Sequence, residues 1–141
     1  MGDHDKYGKQ LVRLAAGRGC VTTGRSLTVD YGAGRGAEID ATVRSRIAVE
    51  VESRVAKQVW GAILDLICHR YPKKLLILLP VHMSNPATTE RQCRLVLDRF
   101  LDAQDYRVIL LEGSGRNPSR ETEDIAVVRQ ELADLGWASG E

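Results

Sequence analysis

Glu38 to Lys57 reads EIDATVRSRIAVEVESRVAK, two alternating runs followed by a change of period. In the first run Glu38, Asp40 and Thr42 share one parity, and Ile39, Ala41 and Val43 share the other. In the second, Ala48, Glu50 and Glu52 alternate with Ile47, Val49 and Val51. Period two marks a β-strand, because successive side chains point to opposite faces. The short link Arg44-Ser45-Arg46 predicts an antiparallel hairpin. Pairing Val43 with Ile47 sets Asp40 opposite Glu50 and Glu38 opposite Glu52. Cross-strand neighbours stand about 5 Å apart, where like charges destabilise. Asp40, Glu50 and Glu52 on one face therefore call for something to offset their repulsion, and a divalent cation with oxygen ligands does so. The same residues also fit a solvated sheet edge, with Arg44, Arg46 and Arg54 pairing the carboxylates. Surface pairs of that kind are worth only about 0–1 kcal/mol.

Asp40, a nine-residue gap, then Glu50-Val51-Glu52 on a second strand leading into a helix resembles the core of the PD-(D/E)XK nuclease superfamily. It is most similar to the restriction-endonuclease branch in which Glu or Gln takes the last motif position. Asp40 matches the motif Asp, Glu50 the (D/E), Val51 the X and Glu52 the Lys position. The chain departs from the pattern in two places. Ile39 stands where the family often has Pro, and Glu52 replaces the Lys often cast as activator of the attacking water. The resemblance spans roughly residues 27–81. It implies a restriction-endonuclease-like three-layer core, with a mixed central sheet flanked by helices. It also implies Mg²⁺, with Mn²⁺ as a substitute, and DNA as substrate.

Under that resemblance Asp40 and Glu50 hold the metal, the Val51 carbonyl supplies a third oxygen, and Glu52 orients the attacking water. Lys57, in the first turns of the next helix, is a candidate to replace the missing motif lysine, set against the more ordinary reading of a solvated helix residue, and Gln58 has the same standing. Glu38 and Asp30 are candidate outer carboxylates that also read as surface residues.

The flanking sequence extends the same architecture. Tyr7, Leu11, Leu14 and Ala15 are spaced for one face of a helix, and Gly17 and Gly19 stop it. Leu27–Tyr31 predicts a strand, and Tyr31–Gly36 a flexible glycine-rich loop. After the hairpin, Ser53 is the expected N-cap of a helix running to about Arg70, with Ala56, Val59, Trp60, Ile63 and Ile67 facing inward. Lys74–Pro80 is an unbroken apolar run bounded by prolines, the pattern of a strand buried on both faces. A helix opening at Pro86, a strand over Tyr106–Leu111 and a helix over Glu121–Leu135 complete the order α-β-β-β-α-β-α-β-α, an α/β layered fold.

One domain is expected at 141 residues, with residues 1–6 and 138–141 flexible. Net charge is +1, so no overall field announces a polyanion partner. The distribution is uneven, with 11 Lys/Arg against 8 Asp/Glu in residues 1–70 and 9 against 11 thereafter. Arg outnumbers Lys 15 to 5, which suits phosphate contacts. Cys20, Cys68 and Cys93 form no CxxC pair and read as reduced thiols in a cytoplasmic setting. The apolar run Leu75–Val81 is too short to span a bilayer. Gly113-Ser114-Gly115 lies where backbone N–H groups cradle phosphate, but it lacks the Lys-Ser/Thr of a P-loop and reads as a plain turn. His82 reads as an ordinary loop histidine, with a substrate contact as the alternative, and a partner for His4 or His69 cannot be read from the sequence.

The function expected from these residues is metal-dependent cleavage of DNA phosphodiester bonds. A catalytically inactive relative that binds nucleic acid or protein is the alternative, and a small structural α/β protein a third reading. Cutting both strands calls for a homodimer, with Trp137 as a candidate contact. The short chain leaves base recognition to a possible separate partner.

Overall fold

The computed structural model of the chain describes residues 3–22, 27–32, 35–54, 56–112 and 118–137. Its helices are α1 (Asp3–Ala16), α2 (Ala56–Cys68), α3 (Pro86–Leu97) and α4 (Pro118–Asp134). Its strands are β1 (Val21–Thr22), β2 (Thr28–Asp30), β3 (Arg35–Glu38), β4 (Ala41–Val43), β5 (Ile47–Glu52), β6 (Lys73–Leu78) and β7 (Tyr106–Leu110). The main sheet has the order β1-β4-β5-β6-β7. β4 is antiparallel to both β1 and β5, while β5, β6 and β7 are parallel. The expected α/β architecture, a mixed sheet between helices, is present.

β6 explains the layering. Leu75 to Leu79 are all fully buried, so both faces of this strand need cover. On one face Leu75, Ile77 and Leu79 join α1 and α4 through Leu11, Val128 and Leu132. On the other, Leu76 and Leu78 join α2 and α3 through Val59, Ile63, Leu66 and Leu97. The small antiparallel β2–β3 sheet adds to this second layer through Val29. α3 starts where Asn85 caps it by accepting from the Thr88 N–H, with Pro86 in its first turn.

Helix α1 lies close against β5. A Cβ on Gly8 would stand 2.3 Å from Val51 Cγ1, so only glycine permits this approach. The Tyr7 hydroxyl donates to the buried Asp124 carboxylate and ties α1 to α4.

Four details differ from the sequence reading. Residues 3–6 belong to α1 and are not a loose end, while residues 1–2 and 138–141 lie outside the described set. The glycine-rich segment after Tyr31 re-enters a strand at Arg35, with residues 33–34 outside the described set. The first alternating run is broken in two: Glu38 pairs with Thr28 in the β2–β3 sheet, and only Ala41–Val43 pairs with β5. Glu38 therefore does not face Glu52. Leu14 on α1 and Trp60 on α2, both expected to face inward, are 37% and 38% exposed, while Leu66, outside the expected stripe, is fully buried.

Val43 does pair with Ile47, as the parity required. The turn between them has Arg44 and Ser45 at φ 52° and 54°, and the Arg46 N–H donates to the Val43 carbonyl at 3.0 Å. Two consecutive left-handed residues make a type I′ turn, which glycine enters most readily. Ser45 is exposed, so Ser45→Gly should stabilise the protein by about 0.5–1 kcal/mol. Urea unfolding of the variant, with an unchanged m-value, checks this.

Candidate functional site

The parallel strands β5 and β6 end at the same edge of the sheet, with Glu52 beside Leu78. Ligands in open α/β sheets gather at the carboxyl ends of parallel strands. Because β4 runs the other way, its start reaches this edge too. Asp40 sits at the bend just before β4, and Glu50 stands on β5.

Each acid accepts a backbone N–H from the facing segment of the hairpin. The Asp40 N–H donates to Glu50 Oε1 at 2.8 Å, and the Val51 N–H donates to Asp40 Oδ2 at 2.7 Å. Reciprocal bonds of this kind fix both carboxyls in one register and hold them side by side. Glu50 is only 7% exposed. Burial, followed by the neighbouring Asp40 charge, pushes its carboxyl up to about 10. Glu50 therefore carries a proton near neutral pH, and the pair shares one negative charge.

Glu52 behaves differently. It is 2% exposed and points into a fork made by Arg54, whose Nε and Nη2 donate to it at 2.9 and 2.6 Å. The backbone N–H groups of Ser53 and Arg54 donate to the same carboxylate. Burial pushes this carboxyl up, but the Arg54 bonds outweigh it and hold Glu52 below the usual range. The three motif acids thus divide into a coupled pair, Asp40 and Glu50, and a separately neutralised Glu52. Lys57 and Gln58 are exposed on the first turn of α2. Glu38 and Asp30 are exposed at the β2–β3 sheet, where Asp30 accepts the Gly32 N–H at 2.7 Å.

Three residues join the site without having been read from the sequence. Lys9, on α1, places its ammonium 3.7 Å from Asp40 Oδ1. Asp65, on α2, adds negative charge near Glu50, and the Tyr31 hydroxyl donates to it. That hydrogen bond, with burial, pushes the Tyr31 phenol up to about 12. The ring of Tyr31 lies over Gly36 so closely that a Cβ there would meet it at 2.3 Å. Asp65 carried a signal, a lone acid inside the apolar run AILDLIC. Lys9 carried none, because charged residues on the outer face of an amphipathic helix are unremarkable. His4 and His82 also meet, edge to face, at 5.6 Å between ring centres. The His69 ring packs on Tyr71, and its carbonyl accepts the buried Lys74 ammonium. The Gly113-Ser114-Gly115 turn lies outside the described residues.

Among the described residues, no group of three or more His, Cys, Asp and Glu side chains forms a metal-ligand set. Two adjoining carboxylates do exist, and Mg²⁺ needs only one or two protein carboxylates because it keeps several waters. The donor set at Asp40 and Glu50 fits that cation. Comparison with family models, curated proteins and solved structures finds no match for this chain.

The buried acid has a stability consequence. The folded-state value of Glu50 lies above its ordinary 4.5, so its stabilising contribution is complete below that pH and is lost as pH rises toward about 10. Glu50→Gln keeps the oxygen that accepts from Asp40 and removes the titration. The variant should gain roughly 1–3 kcal/mol over wild type at pH 9 and little at pH 4. Thermal melts at both pH values check the sign.

Proposed function

We propose that the chain is a metal-dependent nuclease domain that hydrolyses DNA phosphodiester bonds, of the restriction-endonuclease-like kind. The observation that carries this reading is the Asp40–Glu50 pair, locked by reciprocal backbone bonds at the carboxyl edge of the parallel strands. A protein gains no stability from forcing two carboxyls together in a half-buried place. Such pairs mark sites where a cation or a shared proton is used.

Asp40 and Glu50 would hold Mg²⁺, or Mn²⁺ in its place, with the Val51 carbonyl as a further oxygen. The bound ion supplies charge neutralisation at the phosphate and a water of lowered pKa. Glu50 would hold the ion in its ionised form. The Arg54 side chain is 64% exposed while it grips Glu52, and Lys57 follows within one turn. Both present positive charge to a phosphate backbone where β5 leaves the sheet. On this reading Glu52 positions Arg54, and its role in orienting water requires that the fork open.

A second reading has its own support. The Arg54 fork neutralises the acid at the motif Lys position, which favours a catalytically inactive relative that binds nucleic acid or protein. Cutting both strands of a duplex needs two active sites, so the nuclease reading carries a homodimer with it. Trp137 does not offer the contact, because it packs inside the chain's own core. Cys20, Cys68 and Cys93 are free thiols, in keeping with a reducing, cytoplasmic setting. Among the described residues, no helix is long and apolar enough to cross a membrane.

Plasmid nicking and linearisation with Mg²⁺ or Mn²⁺ tests the proposal. Asp40→Asn and Glu50→Gln should each lose at least roughly 10²–10³-fold in cleavage. Glu52→Gln should lose cleavage by roughly 10²–10⁴-fold if the carboxylate acts on the water. Lys57→Ala separates a phosphate contact from a surface residue. A wild type that cuts neither duplex, single-stranded nor branched DNA with either metal moves the assignment to the inactive binding module.

A further inference from the structure

We propose, resting on the nuclease reading above, that Lys9 is the working cation of this site. In the metal-free protein it neutralises Asp40; in the loaded protein it serves the substrate phosphate, the part that Glu52 cannot take.

The position is built by the fold. Gly8 lets α1 lie directly on Val51, and Tyr7 is anchored to Asp124. The next residue, Lys9, is thereby carried to the start of β4. Its ammonium stands 3.7 Å from Asp40 Oδ1, while Asp40 Oδ2 takes the Val51 N–H. Both side chains are largely covered, at 17% and 25% exposure, so the pair is screened less than a surface ion pair. Asp40 thus meets the Lys9 ammonium at Oδ1 and the Val51 N–H at Oδ2.

A divalent ion bound between Asp40 and Glu50 would meet the ammonium at Oδ1, and two cations do not share one carboxylate oxygen cheaply. The four-carbon stem of Lys9 lets the ammonium swing aside while its helix stays fixed. It remains beside the site, where a phosphate held at the ion would be its nearest anion. Arg54 cannot substitute without releasing Glu52, which holds both its Nε and its Nη2.

This arrangement predicts opposite effects on binding and on cleavage. Lys9→Met keeps the length of the side chain and removes its charge. Without DNA it should bind Mn²⁺ roughly tenfold more tightly in titration calorimetry, because the competing ammonium is gone. In the plasmid assay it should cleave at least roughly 10²-fold more slowly. Lys9→Arg should return Mn²⁺ affinity to the wild-type level and recover part of the cleavage. A residue that merely buttressed Asp40 would weaken metal binding and cleavage together. Unchanged or weaker Mn²⁺ binding by Lys9→Met, or cleavage equal to that of a cleaving wild type, overturns the assignment of Lys9 alone. A wild type that neither binds Mn²⁺ nor cleaves overturns the nuclease reading and this assignment with it.

Discussion

Strand β6 must be covered on both faces. Five successive residues, Leu75 to Leu79, are fully buried, and a strand with no polar side can exist only between two layers. Helices α1 and α4 supply one layer and α2 and α3 the other. Parallel pairing with β5 and β7 follows, because the connections that return the chain to the same end of the sheet are those helices. The carboxyl ends of β5 and β6 then share an edge, and every feature of the candidate site depends on that edge.

What stands there is electrostatically costly. Asp40 and Glu50 are held together by backbone bonds across the hairpin, from Val51 to Asp40 and from Asp40 to Glu50, and Glu50 is buried besides. Burial disfavours the charged form of an acid, and a neighbouring carboxylate disfavours it again. Both causes act on Glu50 in the same direction, so the proton stays on. Glu52, two residues further along the same face, meets the opposite environment. Arginine and two backbone donors surround it, and they hold the carboxyl ionised despite burial. One strand thus presents two glutamates in contrasting protonation states, set by their neighbours and not by residue type.

The neutralisation of Asp40 comes from outside the hairpin. Lys9 belongs to the first helix, thirty-one positions earlier in the chain. It reaches the site because glycine at position 8 removes the side chain that would hold α1 away from β5. A packing detail in the core therefore controls the charge balance at the edge of the sheet.

The sequence by itself determined the elements with strong periodicity. The apolar run after Pro72, the Val43–Ile47 register and the helices over α2, α3 and α4 all followed from spacing, because burial on one face or two leaves a direct trace in residue order. The adjacency of Asp40 and Glu50 followed from that register as well. Tertiary structure decided the rest. Parity alone aligned Glu38 with Glu52, but the chain bends at Asp40 and gives Glu38 to a different sheet. Parity also placed Glu52 with the pair, whereas a local fork from Arg54, two residues away, claims it. Lys9, Asp65 and Tyr31 reach the site from three other elements. Their approach depends on how layers pack, and contacts between residues far apart in the chain leave no period to read.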